Sequence, residues 1–446
     1  MIYFIYAVVF YLGFRLFFIE DKVAKVAILL TTELLFTLVM LPFLPMFKGG
    51  YEFVVVCFLL SEASSIVEKI QYLNHTTVGC FVKILLLNFV YIVIVSPHLH
   101  QFDFFFITAK SLIIAKILPL FLVFYCLRTL NDLGRLLDYI YPSIIIFFLL
   151  GVLNFLEGES YYVSLLTSDR NTPMLLGELY SESERFRVQG TYIYAADYGL
   201  ISLLYILFYA FGYLNGLING KKTIIVFAMC IFAILTCGFR TVFVCFFIAV
   251  FLFVYLVFDI SKTIKNTLIV ALLFIVAYSL FPIFQERMDQ TLAIGDEKQE
   301  NVKGSSIDLR LEQLDGVMYY IDGDLLTGRG YGFFNIDMGH ATQNRSNITK
   351  EGMALFGLES SIFWTLLETG FIGLALYLYS LFYLFKNFKN SLFDNRKTAA
   401  LGITIVTIFT VFGIMTGEMG SGRYIYPFFA IVLSLIYHQK KSETYE

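Results

Sequence analysis

Runs of about 20 mostly apolar residues, the length needed to cross the hydrocarbon of a bilayer, recur along almost the whole chain. They lie near 2–19, 26–46, 51–68, 77–97, 104–126, 139–156, 190–214, 223–239, 241–258, 267–284, 359–386, 399–416 and 420–437, thirteen in all. The run at 51–68 is the weakest, because it carries Glu62 and ends in Glu68-Lys69. Hydrophobic residues make up 58% of the 446-residue chain and charged residues only 15%, against roughly 45–50% and about 25% in soluble domains. A water-soluble globule could not cover that much apolar surface. Disorder and a basic nucleic-acid binder are excluded on the same grounds. The predicted fold class is an all-α polytopic membrane protein with about 12–13 transmembrane helices. The N-terminus is apolar from its first residues, with no basic leader and no small-residue cleavage site, so it reads as a retained span.

Lys and Arg placement orients the spans. Lys22 and Lys25, Arg128 and Arg135, Lys221 and Lys222, Lys262 and Lys265, Lys386 to Lys397, and Lys440 and Lys441 all fall in alternate connections. Those connections read as cytoplasmic. Two long polar segments, 157–189 and 285–358, then face outward, as do the turns holding Arg240 and Arg423. Thirteen spans put the N-terminus outside and the C-terminus inside; if one early run does not span, both ends are inside. The chain thus divides into N-terminal spans 1–156, an outer loop 157–189, central spans 190–284, a large outer loop 285–358, and C-terminal spans with a short cytoplasmic tail 359–446.

Metal-ligand patterns are absent from the sequence. The six cysteines form no CxxC pair, and the five histidines include no HExxH. No metal or other cofactor is expected.

In the first outer segment, Arg185 and Arg187 arrive as the next span begins. They read either as a flanking anchor or as an anion site, since the planar guanidinium suits phosphate. Asp197 falls about three helical turns below Arg187, with Tyr194 at i−3, as if a polar stripe lined a cavity. In the second segment, Ile307, Leu311, Leu314, Met318 and Ile321 follow helical spacing, an apolar stripe for packing on protein or on the membrane surface. Arg310 lies near the start of that helix. A glycine-rich turn, Thr327-Gly-Arg329-Gly-Tyr-Gly332, follows; it is a weak phosphate signal, because ordinary turns also use glycine. The polar run beyond it carries His340, Arg345 and Lys350. Glu33, Glu62, Lys83, Lys110, Lys116, Asp197 and Glu368 are ionisable residues inside spans, where such groups are costly and are paired or functional.

Four pieces, from about residue 180 to the C-terminus, together resemble the Wzy-type O-antigen and capsule polymerase family of the O-antigen polymerase and ligase superfamily. They are Arg187-Val-Gln-Gly190 opening a span; Thr236-Cys-Gly-Phe-Arg240-Thr, a tight outer turn; Arg310 followed by Gly328-Arg-Gly330-Tyr-Gly332; and Glu359-Ser-Ser-Ile-Phe-Trp-Thr-Leu-Leu-Glu368-Thr-Gly370-Phe-Ile-Gly373. One departure is that Arg187 and Gly199 stand one residue too far apart for the polymerases' R-x10-G pattern. The resemblance implies a metal-independent inverting glycosyltransferase of the membrane C type in the bacterial cytoplasmic membrane, its active site facing the periplasm or exterior. The growing glycan would leave undecaprenyl pyrophosphate and join the non-reducing end of a lipid-linked repeat unit. A chain-length regulator is a candidate partner, and nucleic acid is not. Because the leaving group is a pyrophosphate, positive charge is what it needs. Arg187, Arg240 and Arg310 are the catalytic candidates, with Arg185, Arg329, Arg423, Tyr194, Asp197 and His340 as substrate-binding ones. Ligases resembling this family begin the span after the loop with His-Asn. Here the pair is Glu359-Ser360, which favours a polymerase over a ligase. Glu359 then reads either as the base that orients the acceptor hydroxyl or as a helix cap. A flippase is the non-enzymatic rival, but its internal repeats are not evident.

Overall fold

The computed structural model describes residues 2–41, 49–158, 160, 162, 187–258, 279, 307–333, 355, 358, 360–416 and 424–443. Among them the chain is helical, with no strand beyond an isolated bridge between Met40 and Gly49. The helices are α1 (Ile2–Arg15), α2 (Lys22–Phe36), α3 (Gly50–Ser61), α4 (Ile66–Asn74), α5 (Thr77–Val95), α6 (Phe102–Cys126) and α7 (Leu130–Glu157). There follow α8 (Ala195–Leu214), α9 (Gly220–Thr236), α10 (Arg240–Val257), α11 (Ile307–Tyr320), α12 (Ser361–Asn390), α13 (Arg396–Thr416) and α14 (Tyr426–Glu443). Seven of these, α5, α6, α7, α8, α10, α12 and α13, are long and apolar enough to cross a membrane. The chain is therefore built as a polytopic membrane protein. Twelve of the thirteen apolar runs carry a helix; the run near 267–284, apart from Ser279, lies outside the described residues.

Helices are the expected solution, because hydrocarbon offers no partner for a free N–H or C=O. The radial pattern also suits lipid. Phe4, Phe18, Ile94, Phe102, Ile224 and Phe382 point outward, whereas Thr32, Asn154, Ser202, Thr404 and Ser434 are buried. Helix α8 is almost wholly encased by α7, α9, α10 and α13. Its Gly199 permits this closeness: a Cβ there would meet Cys237 Sγ and Val242 Cγ1 at 2.8 Å, the use small residues serve in membrane bundles.

Two runs that read as continuous are interrupted. Helix α2 stops at Phe36, and the chain turns so that Gly50 N–H donates to Val39 O at 2.7 Å. The run 51–68 breaks at Glu62 into α3, a short 3-10 turn at Ala63–Ser65, and α4. The break has an electrostatic reason. One Glu62 carboxylate oxygen meets Lys25 Nζ and the other meets Lys69 Nζ, each at 2.5 Å. The lysine side chains are only 6% and 3% exposed, so the carboxylate must sit where both can reach it. Another interruption is a π-helical stretch, Ser111–Ile117, within α6. Pro119 follows it, and proline supplies no N–H to the preceding turn.

Several charges inside spans are thereby accounted for. Lys110 pairs with Glu52 at 2.9 Å, and Lys116 Nζ lies 5.3 Å from the centre of the Tyr426 ring. Removing the shared carboxylate by Glu62→Ala leaves two buried ammonium groups facing one another. Loss of a buried partner costs about 3–5 kcal/mol, so the purified variant should melt well below the wild type in detergent. An unchanged Tm would show that the triad is not structural.

Candidate functional site

Three arginines from distant parts of the chain converge on one end of the bundle. The strip leading into α8 lies against the turn between α9 and α10, where Val188 N–H donates to Thr236 O at 3.1 Å. Arg187 places its guanidinium carbon 4.5 Å from the centre of the Phe239 ring. Gly238, at φ +69°, leaves room for it: a Cβ there would lie 3.3 Å from Arg187 Cγ. Arg240 is the first residue of α10. Its neighbour Thr241 accepts a 2.5 Å hydrogen bond from Thr416, the last residue of α13. At that same end of α13, Met415 O accepts from Arg310 Nη2 at 2.8 Å, while Arg310 Nη1 donates to Gln313 Oε1 at 2.9 Å. Ser361, which opens α12, donates to Gly413 O at 2.8 Å. The turn between α9 and α10, the end of α13 and the starts of α11 and α12 therefore meet. Arg187 is exposed, and Arg240 and Arg310 are half-buried.

The strip 187–194 corrects one expectation. Asp197 is not three helical turns below Arg187, because α8 begins only at Ala195 and Tyr194 is its N-cap. Gly190 adopts φ +58°, and a Cβ there would lie 2.4 Å from the Tyr198 ring. The glycine lets the strip turn into the bundle instead of continuing a helix. Asn154 Nδ2 donates to Gly190 O at 3.2 Å and Thr191 Oγ1 to Leu34 O at 2.6 Å, holding the strip between α7 and α2.

Buried polar side chains collect beneath Arg187. Gln189, Tyr192, Asp197 and Glu33 are each at most 5% exposed. The Tyr192 and Tyr424 ring centres are 5.1 Å apart, and Thr37 Oγ1 donates to the Tyr424 hydroxyl at 2.8 Å. Gln189 Oε1 and the Tyr192 hydroxyl have no hydrogen-bond partner among the described residues. An unsatisfied buried polar atom costs about 1–3 kcal/mol, so such atoms are unusual outside places where a ligand or water completes them. Tyr194 is half-buried at the rim.

The glycine-rich turn is a structural clasp and not a phosphate cradle. Helix α12 is broken at Gly370, which adopts φ +63° and ψ −167°. The carbonyls freed by the break are taken up by the turn: Arg329 N–H donates to Leu367 O at 2.9 Å and Gly330 N–H to Glu368 O at 2.8 Å. In return, Phe371 N–H donates to Leu325 O at 3.0 Å and Ile372 N–H to Leu326 O at 3.2 Å. The Tyr91 hydroxyl bonds Thr369 O at 3.0 Å and Leu326 O at 3.1 Å. Gly332 N–H donates to the buried Glu368 carboxylate at 2.9 Å, and Tyr331 N–H to Ser96 Oγ at 2.7 Å. Each N–H from Arg329 to Gly332 thus has a protein acceptor, which leaves the turn no nest for an anion. The Arg329 guanidinium is exposed and serves its own loop, donating to Tyr320 O and, at 3.1 Å, to Asp324.

Helix α11 packs on protein. Val317 and Ile321 are buried in a small second core with Leu355, Leu358, Leu366 and Leu367. The face differs from the predicted stripe, however. Leu311 and Met318 are 54% and 37% exposed, whereas Gln313 is buried. The helix is rotated so that Arg310, held by Gln313, reaches the end of α13, which a pattern of apolar residues alone could not reveal. Gln189, Tyr192 and Gln313 carried no signal beyond being polar residues near apolar runs. Arg185, His340, Glu359 and Arg423 lie outside the described residues. Among the described residues no three His, Cys, Asp or Glu side chains are grouped to hold a metal ion.

No protein-family model matches this chain, and no curated protein matches it in sequence.

The clasp can be tested by two alanines. A Cβ on Gly328, at φ +69°, would lie 2.5 Å from Gly370 N, whereas Gly323, at φ +87°, has open space around it. Both lose the glycine conformation, costing about 1–2 kcal/mol, but only Gly328→Ala also pushes the turn off α12. Gly328→Ala should lower Tm clearly more than Gly323→Ala and expose the 322–333 segment to protease. Equal behaviour of the two would refute the clasp.

Proposed function

We propose that this chain is a polysaccharide polymerase of the Wzy type, acting on the outer face of a bacterial cytoplasmic membrane with the large loop 285–358 on that side. The observation that carries the reading is the convergence of Arg187, Arg240 and Arg310, from three distant segments, at one end of the bundle above buried polar side chains. On the reading from lysine placement, that end faces outward, against the usual bias of positive residues toward the cytoplasm. A cluster of guanidinium groups suits a pyrophosphate, whose oxygens accept paired hydrogen bonds.

In this reaction a hydroxyl of the acceptor sugar attacks C1 of the sugar that links the growing chain to undecaprenyl pyrophosphate. The C1–O bond to the pyrophosphate breaks with inversion, and the hydroxyl proton passes to a base. The arginines stabilise the negative charge that grows on the departing pyrophosphate, so no acid is required to protonate it. Glu359 is the candidate base. The buried polar group around Gln189, Tyr192, Tyr194 and Asp197 supplies hydroxyl, amide and carboxylate partners for a sugar.

Arg187→Ala and Arg310→Ala should each reduce chain extension by about 100-fold or more, the scale of losing one charge-stabilising group. Single capped repeat units would remain. Arg329→Ala, which disturbs only contacts within its own loop, to Tyr320 O and Asp324, should retain most activity. Long chains in both of the first two variants would overturn these sites. Purified protein with synthetic undecaprenyl-pyrophosphate repeat units should produce a ladder that EDTA does not abolish. Transfer of preformed polymer to a lipid A core or protein acceptor, with no ladder, would identify a ligase instead.

A further inference from the structure

At the opposite end of the bundle, where the lysines lie, α4, the end of α6 and the end of α14 line an open cavity of about 300 Å³. Its wall is cationic and aromatic. Tyr125 is the hub: Lys69 Nζ lies 4.3 Å from its ring centre, Lys22 Nζ 4.5 Å and the Arg128 guanidinium 5.2 Å. Across the cavity, Lys441 Nζ stands 5.8 Å from the Tyr72 ring centre. Lys69 shares Glu62 with Lys25. Among the described residues, Lys22, Arg128 and Lys441 have no carboxylate within ion-pair distance, and Glu68 is the acid on the cavity wall. His438 is on the same wall, beyond the apolar part of α14. Burial, and then the charges of Arg128 and Lys441, pull its pKa down to about 4, so its imidazole is neutral and adds no further charge.

The positive-inside bias accounts for lysines at this end. It does not account for their facing one concave space from three separate parts of the chain. Like charges repel, and gathering them around a cavity is favourable only when an anion or aromatic faces offset the repulsion. The rings of Tyr125 and Tyr72 do part of this, and the cavity leaves room for the rest. Its volume is ample for a phosphate with its immediate substituent, and Tyr72, Tyr125, Lys69, Arg128 and Lys441 line it.

We propose that this cavity is a binding site for a phosphate group, presented by an anionic phospholipid headgroup of the adjoining leaflet or by a soluble phosphate anion. The site is independent of the arginine end and of the reaction proposed there.

The test uses the full-length purified protein. Arg128 and Lys441 are exposed, so Arg128→Gln combined with Lys441→Gln should fold, as its Tm will report. Lys222→Gln, which removes a partner of Asp138 on α7, is the charge control. Native mass spectrometry in detergent counts bound phosphatidylglycerol against phosphatidylcholine. Thermal melting with sodium phosphate, against sodium chloride at equal ionic strength, covers the soluble anion. The expected result is saturable binding to the wild type and the Lys222→Gln control, weakened about tenfold or more in the double variant. Preference for phosphatidylglycerol would assign the lipid as the source, and a Tm rise with inorganic phosphate would assign the soluble anion. Equal binding by the wild type and the double variant, or no binding of either probe, would overturn the site.

Discussion

A helix that breaks within a buried apolar bundle must find new partners for every N–H and C=O it releases, and the architecture of the second half of this chain follows from how it does so. Gly370 breaks α12, and the stretch from Leu325 to Gly332 supplies the donors and acceptors that the break requires. Tyr91 and Ser96, from α5 and its end, complete the arrangement. The two glycine-rich stretches, Gly328 to Gly332 and Glu368 to Gly373, are thus the two halves of one clasp. The clasp in turn holds α11 over the start of α12, and α11 carries Arg310 to the end of α13.

The same shortage of solvent governs the charges. Glu62 is shared by two buried lysines, Lys110 is paired with Glu52, and Glu368 accepts from Gly332 N–H. These ionisable residues serve the scaffold, and their partners come from other helices or from the glycine-rich turn. What remains collects at two ends. Arg187 and Arg240 lie at the turn between α9 and α10, and Lys22, Lys69 and Arg128 surround Tyr125 at the other. The apolar bundle lies between these two ends.

Much of the scaffold was legible in the sequence, because the requirement for about 20 apolar residues leaves a long and redundant signal. Twelve of the thirteen runs carry a helix, and seven of the helices among the described residues are long and apolar enough to cross a membrane. Interruptions were less visible. The break at Glu62 goes with a shared pairing to Lys25 on α2 and to Lys69 further along the same run. The site was legible as a set of residue types and not as an arrangement. Arg187, Arg240 and Arg310 stand out because arginine is rare beside apolar runs. Their meeting rests on Thr241, Thr416 and Met415, none of which stands out in a linear reading. The helical stripe on α11 placed Leu311 and Met318 inward, and the polar pair Arg310 and Gln313 turned the helix away from that register.

The sequence by itself determined that this chain is a helical membrane protein and which few charged residues it sets beside its spans. Composition and run length dictate both, since lipid accepts no other backbone. The tertiary structure alone decided which charges pair within the scaffold and which gather at the two ends of the bundle. That distinction rests on pairings between residues tens or hundreds of positions apart. It also decided that Asp197 enters the core through a non-helical strip, because Gly190 turns the chain inward where periodicity would continue a helix.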